Sequence, residues 1–100
     1  MSLGTIMAED RRAAILATLA ETNGYSVNEA TLKLVLDRLG HRVTQDQLRG
    51  DLNWLAQQGL VRNEVEHVSS GDLWIVHLLA SGQDVANGAV FPGIARPRAH

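Results

Sequence analysis

The chain has 100 residues and a mass of 10.9 kDa, which corresponds to one domain and excludes a multidomain enzyme or regulator. Nine Lys and Arg against eleven Asp and Glu give a net charge of −2, which excludes a histone-like polycation but allows a local basic patch. No cysteine is present, so disulfides and thiolate metal sites are excluded. Because no segment resembles a signal peptide or reaches membrane-spanning length, we expect a soluble, cytoplasmic protein.

Two helices are predicted first, and a glycine follows each of them. The first helix covers about residues 6–21 and ends before Gly24. The second begins after Asn28, a favourable N-cap, and ends before Gly40. Its apolar residues recur at helical spacing and are predicted to be buried: Leu32, Val35, Leu36 and Leu39.

The third helix has the clearest start, because residues 44–47 read Thr-Gln-Asp-Gln, a capping box. It is predicted to run to Gln58 and to stop at Gly59. At 100° per residue its buried stripe is Leu48, Leu52 and Leu55. The opposite face is mostly polar and consists of Asp46, Gly50, Asn53 and Gln57, flanked by Arg49 and Trp54.

The remaining chain predicts a β-hairpin, a short helix and a tail. Strand-like patterning covers residues 60–68 and 73–79, separated by a turn at residues 69–72. A short helix is expected at about residues 81–87. Residues 1–88 therefore form one domain, whereas residues 89–100, which contain both prolines, are predicted to be an extended tail rather than a packed element.

Three helices followed by a hairpin, with a sharp link between the second and third helices, predict a winged helix-turn-helix, a mainly helical α+β fold. Residues 48–62, LRGDLNWLAQQGLVR, resemble the passage from recognition helix to wing in winged-helix regulators. Such regulators often leave the second wing strand through Leu-Thr-x-x-Gly, where the Thr caps the next helix. Here residues 78–82 read LLASG, so the Thr is absent and the last helix is expected to be short or frayed.

Nearly the whole chain resembles a family of small winged-helix proteins of Mu-like phages and prophages. The matching segments are AEDRR near the start, NGY before the second helix, GHRVTQDQLRGDLNWLAQQGLV in the centre, and GQDVANG and PGIARP near the end. Members are described as regulator-like or simply as uncharacterised, so the resemblance implies a winged-helix fold and a phage or prophage setting.

The distribution of charge along the chain gives conflicting indications about DNA binding. Residues 38–49 contain three arginines and one aspartate, a local excess of +2 around the start of the third helix, where free amides also favour a phosphate. Residues 63–72 of the hairpin contain three acidic residues and no Lys or Arg. An acidic wing repels the phosphate backbone that a wing usually grips.

The first functional hypothesis is a DNA-binding protein with a role in transcription regulation that places residues 44–58 in the major groove of duplex DNA. Bidentate amide and guanidinium groups suit base edges, so the candidate base contacts are Gln45, Arg49 and Asn53. The candidate phosphate contacts are Arg38, Arg42 and Thr44. The alternative is that these are ordinary solvated residues. Gly50 either permits close approach of a backbone or has no function.

The second hypothesis is a protein-interaction module or adaptor in phage development or assembly, without DNA binding and with a phage protein as partner. Its candidate interface residues are Trp54, Glu64 and Glu66. Under either hypothesis we expect a homodimer, because the first helix has alanine-rich surface on more than one side.

Neither an enzyme, a cofactor nor a metal site is expected. The four histidines have no metal-ligand spacing, and no Ser or carboxylate lies in a nucleophile motif. His67 and His77 lie on opposite strands of the predicted hairpin and could approach each other, but two imidazoles alone make a poor metal site.

Overall fold

Four helices and three strands make up residues 2–96, the part of the chain that the computed structural model describes. The helices are α1 (Leu3–Glu21), α2 (Glu29–Arg38), α3 (Gln45–Gln57) and α4 (Ala80–Ala86). The strands are β1 (Ser26–Asn28), β2 (Val61–Val68) and β3 (Gly71–Leu78), and a single 3-10 turn, Asn23–Tyr25, leads into β1. The chain is therefore a mainly helical α+β protein, as the sequence predicts.

Side-chain caps fix where the first three helices begin. The Asn28 side chain accepts a bond from the Thr31 amide at 2.9 Å. Thr44 and Gln47 bond reciprocally, with the Gln47 amide donating to Thr44 Oγ1 at 3.1 Å and the Thr44 amide donating to Gln47 Oε1 at 3.0 Å. Both predicted caps are confirmed. Helix α1 begins earlier than predicted because Ser2 Oγ caps the Thr5 amide at 3.1 Å.

The core lies where α1, α2 and α3 meet β3, with α4 and one tail residue completing it. Its buried members are Ile15, Leu16, Leu19, Leu32, Leu36, Leu48, Leu52, Leu55, Leu60, Val61, Val76, Val85 and Ile94. The prediction that Leu39 is buried is wrong, since 59% of it is exposed. Leu39 is the C-cap of α2 and has already left the helical phase of Leu32 and Leu36. None of the helices in residues 2–96 is long and apolar enough to cross a bilayer.

The sheet has the order β1-β3-β2 and is antiparallel throughout. The predicted hairpin is confirmed, but strand β1 was not foreseen, because three residues between a turn and a helix cap carry no alternation to detect. The hairpin register also separates the two strand histidines. His67 pairs with Asp72 near the turn, whereas His77 pairs with Arg62 at the other end, so the expected approach of His67 to His77 is wrong.

The tail differs from its prediction in packing. Residues 89–96 contain no helix or strand, yet Ile94 is buried in the core and Phe91 packs against it. Two hydrogen bonds attach this segment to α1, from the Arg12 guanidinium to the Gly93 carbonyl at 2.9 Å and from the Ala95 amide to the Glu9 carbonyl at 3.2 Å. Phe91 and Ile94 are enough to hold the tail against the domain because α1 also supplies these hydrogen-bond partners. Residues 97–100 lie outside the described part.

The last helix is short, as the missing Thr predicts. Helix α4 has 7 residues, and Leu79 at its N-cap makes no side-chain capping bond. The backbone of Leu79 is extended, as an N-cap requires (φ −91°, ψ 166°). We therefore expect Leu79→Thr to raise the free energy of unfolding by about 1 kcal/mol, measured by urea denaturation. Leu79→Val is the shape-matched control; an equal gain with valine would contradict capping as the cause.

Candidate functional site

Helix α3 exposes one polar face along the surface of the domain. Its buried side carries Leu48, Leu52 and Leu55, as the periodicity predicts. Asp51 is buried as well, which the sequence analysis missed, and it is held by the Arg11 guanidinium of α1 at 2.8 Å. The exposed residues of α3 include Gln45, Asp46, Gly50, Asn53 and Gln57. The predicted outward face of this helix is therefore confirmed.

Arg49 lies beside this face but is engaged within the protein. Its Nε and Nη2 atoms donate to the two carboxylate oxygens of Glu29 at 2.8 and 2.9 Å. Nη2 also donates to the Asp72 carbonyl at 2.9 Å, and the guanidinium lies 4.9 Å from the ring centre of Trp74. Arg49 thus joins α3 to the start of α2 and to the hairpin of β2 and β3. A base contact by Arg49 requires these bonds to break.

Glu29 is the buried centre of this arrangement and is only 3% exposed. Besides Arg49, it accepts bonds from Gln45 Nε2 at 3.2 Å and from the Trp74 amide at 2.5 Å. Burial raises the pKa of the Glu29 carboxyl, but the hydrogen bonds from Arg49 and Trp74 outweigh that effect and hold the pKa below its ordinary value. The bond to Glu29 in turn raises the pKa of Arg49.

Sequence reasoning missed Glu29, and no local pattern identifies it. An acidic residue directly after an N-cap is common on a solvated first turn, where it favours the helix dipole. Only the packing of α3 and β3 against that turn buries it. The set Glu29, Arg49, Gln45 and Trp74 is named the Glu29 hub below.

The predicted DNA contacts fall into two groups. Gln45 and Arg49 belong to the Glu29 hub, whereas Asn53 is exposed on α3. Arg38, Arg42 and Thr44 are all exposed around the corner between α2 and α3. The Arg42 side chain is 92% exposed, with its Nε 3.7 Å from Asp37 Oδ1, a loose contact in water. These three residues lie close in the chain to the start of α3.

Trp54 packs against other parts of its own chain. Its ring lies under the Arg12 guanidinium at 4.1 Å and meets Phe91 edge-on at 6.3 Å. A Cβ at Gly93 would come within 2.8 Å of the ring, so the tail backbone lies directly against it. Trp54 thus contacts the tail of the same chain, while its predicted contact with a partner stays a prediction.

The hairpin of β2 and β3 is acidic and exposed, as predicted. Glu66 is exposed and Glu64 is partly engaged, since its Oε1 lies 2.9 Å from Nε2 of His77. Nδ1 of His77 lies 2.6 Å from Ser26 Oγ. This Ser26, His77 and Glu64 line, which the sequence analysis missed, crosses all three strands and ties them together. Among residues 2–96, no three His, Asp or Glu side chains are placed to hold a metal ion.

Comparison with known proteins places the chain among phage proteins. No protein-family model matches it. A protein of Escherichia phage Mu, described as uncharacterized protein gp26, is 42% identical over 97 residues, covering 96% of each chain. The chain belongs to the family of Mu gp26. An uncharacterized protein of Haemophilus influenzae is similar to it as well, with 38% identity over 64 residues, 64% of this chain and 62% of the relative.

Membership of the Mu gp26 family confirms the predicted relation to Mu-like phages. The similarity to Mu gp26 covers nearly the full length of both chains, so it extends beyond residues 48–62 to the first helix and the tail. It supports a phage-related role.

Proposed function

We propose that the protein is a phage or prophage DNA-binding protein of winged-helix type, with a role in regulation. The observation that carries the proposal is the uncovered polar face of α3, which stands beside an exposed cationic corner. The helix order, the three-stranded sheet and the hairpin agree with a winged helix-turn-helix, in which the helix at this position enters the major groove.

The proposed set of DNA-contacting residues is smaller than the set that the sequence alone favours. Arg49 acts inside the protein, where it orients α3 through Glu29. The proposed contacts to base edges are therefore Asn53 and the Gln45 side chain. The proposed contacts to phosphates are Arg38, Arg42 and the Thr44 hydroxyl. Arg42 is nearly fully exposed, so its guanidinium can swing from Asp37 to a phosphate at little cost.

The acidic hairpin limits how the domain can approach DNA. Glu64, Glu66 and Asp72 are exposed and repel a phosphate backbone. The proposed complex therefore uses α3 and the corner between α2 and α3, with the wing turned away from the duplex. Few phosphates are neutralised, and no catalytic step is included in the proposal.

The test is fluorescence anisotropy of the protein on labelled fragments of the phage genome across a salt series. We expect binding with a slope of log affinity against log salt of about −2 to −3 per subunit. In the double variant Arg38→Ala/Arg42→Ala the slope should become less negative by about 2, because two phosphate contacts are removed. Arg62→Ala, which removes an exposed arginine from β2, should leave it unchanged. Absence of binding at low salt would contradict the proposal.

The acidic hairpin favours a second candidate, a protein-interaction adaptor in phage development or assembly. An exposed acidic wing suits a basic protein surface better than it suits DNA. The position of the gene separates the two candidates, since neighbouring early regulatory genes favour DNA binding, whereas late packaging or head genes favour assembly. At the bench, Glu66→Lys should abolish adaptor binding, whereas it should not weaken binding to DNA, since the proposed complex turns the hairpin away from the duplex.

A further inference from the structure

Helix α1 has a second apolar stripe, directly opposite the one that it buries. Positions 3, 6, 7, 10, 13, 14 and 17 fall within an arc of about 120° on the helix. Large side chains occupy the N-terminal half of this stripe, and they are unusually exposed: 72% for Leu3, 44% for Ile6 and 51% for Met7. Single exposed apolar residues need no explanation, but three on one helix face indicate an interface.

The C-terminal half of the same stripe forms the floor of a groove of about 470 Å³. The floor is made of alanines, Ala13, Ala14 and Ala17. The walls come from the end of α2, including exposed Leu39, and from α4 and the tail. Small residues on the floor allow a second helix to approach closely.

We propose that two copies of this chain form a twofold dimer through α1, each copy placing the large side chains of its first two turns in the alanine groove of the other. In an antiparallel pair centred on residue 10, Leu3 faces the partner's Ala17, Ile6 faces the partner's Ala14 and Met7 faces the partner's Ala13. Each large residue meets a small one over a contact about 21 Å long. This self-complementarity is what a twofold interface requires, and it selects a second copy as the occupant.

The charge at the centre of the proposed dimer has to be compensated. Asp10 lies at the proposed axis, so the two aspartates come close together. Two carboxylates at an axis repel each other, and Arg96, which lines the same groove, is the cation that the proposal assigns to neutralise them in each copy. The dimer surface lies on α1, so the proposal does not depend on whether α3 binds DNA.

The first test is analytical ultracentrifugation at micromolar concentrations. Wild-type protein should sediment as a dimer, and Leu3→Glu should weaken self-association at least about 30-fold. Leu34→Glu is the matched control, because Leu34 is also an exposed leucine, 53% exposed, and lies on α2 outside the stripe. A monomeric wild type, or equal effects of the two variants, would overturn the proposal. Circular dichroism verifies that both variants are folded.

The register is tested by charge exchange and by cross-linking. Ala17→Lys should restore dimerisation when it is combined with Leu3→Glu, because the two positions meet only between copies. Since the chain has no cysteine of its own, a disulfide formed by a single cysteine variant can only join the same position in two copies. Asp10→Cys should form an intermolecular disulfide on mild oxidation, whereas Leu3→Cys should not, since its partner position lies at the other end of the helix. Efficient linking through Leu3→Cys would indicate a parallel dimer and overturn this one.

Discussion

Replacing Glu29 by alanine is expected to lower the free energy of unfolding by about 3 kcal/mol. The partly buried Trp74 amide then loses its acceptor, and the Arg49 guanidinium loses the carboxylate that compensates its partial burial. Three elements, α2, α3 and β3, are held together by this single carboxylate. Urea denaturation at neutral pH measures the effect.

The Glu29 hub also predicts how stability depends on pH. Because the folded-state pKa of Glu29 is below its ordinary value of 4.5, its contribution is present above that value and is lost as the pH falls through the folded-state pKa. In Arg49→Ala the carboxylate loses the hydrogen bonds and the charge of Arg49 but keeps the bonds from Trp74 and Gln45, so the folded-state pKa of Glu29 is higher than in the wild type and its stabilising contribution is smaller. The stability difference between wild type and Arg49→Ala should therefore widen as the pH rises from below the wild-type pKa of Glu29 to above the higher pKa that Glu29 has in the variant.

Two results would contradict this account of the hub. One is a difference between wild type and Arg49→Ala that does not change with pH, which would mean that Glu29 is not the group that Arg49 stabilises. The other is additivity of Glu29→Gln and Arg49→Ala in the double variant, since residues that share a bidentate pair must couple. Gln58→Ala, at an exposed helix end, serves as the control variant.

The local elements of the fold are predictable from sequence because their signals lie within a few residues. The capping box of Thr44 and Gln47 locates the start of α3 by itself, and the glycines at 40 and 59 mark helix ends. Both glycines adopt positive φ, 91° and 74°, which other residues rarely do. The alternation of residues 60–68 and 73–79 indicates the hairpin in the same way.

The candidate site was less predictable because its contacts are distant in sequence. Arg49 resembles a base-reading residue on an exposed helix flank, and only the folded chain brings Glu29, 20 positions earlier, within bonding distance. Trp54 resembles an interface anchor until the tail, including Phe91, packs over it. Periodicity shows which way a side chain points from its own helix, but not which other segment meets it there.

Gly82→Ala is expected to destabilise the protein by about 3 kcal/mol, near the upper end for overpacking. Gly82 is buried in α4 where the helix crosses the backbone that leads into β2. A Cβ there would overlap the Leu60 carbonyl oxygen and would come within 2.7 Å of Leu78 Cδ1. The carbonyl cannot retreat freely, because it accepts the Leu79 amide at 3.0 Å. This close approach explains physically why a glycine stands at the end of the LLASG segment.

Gly50→Ala is the matched control, because it makes the same change inside a helix where nothing lies within 4 Å of the added Cβ. It should raise the free energy of unfolding by about 0.5 to 1 kcal/mol, since alanine restricts the unfolded chain and favours the helix. Urea denaturation gives the change in the free energy of unfolding for each variant. Changes of opposite sign would establish that backbone contact, rather than loss of glycine, causes the Gly82 effect. Changes of the same sign would contradict it. The Gly50 variant also tests α3 itself: if a nucleic-acid backbone approaches that face closely, Gly50→Ala must lower DNA affinity while it raises stability.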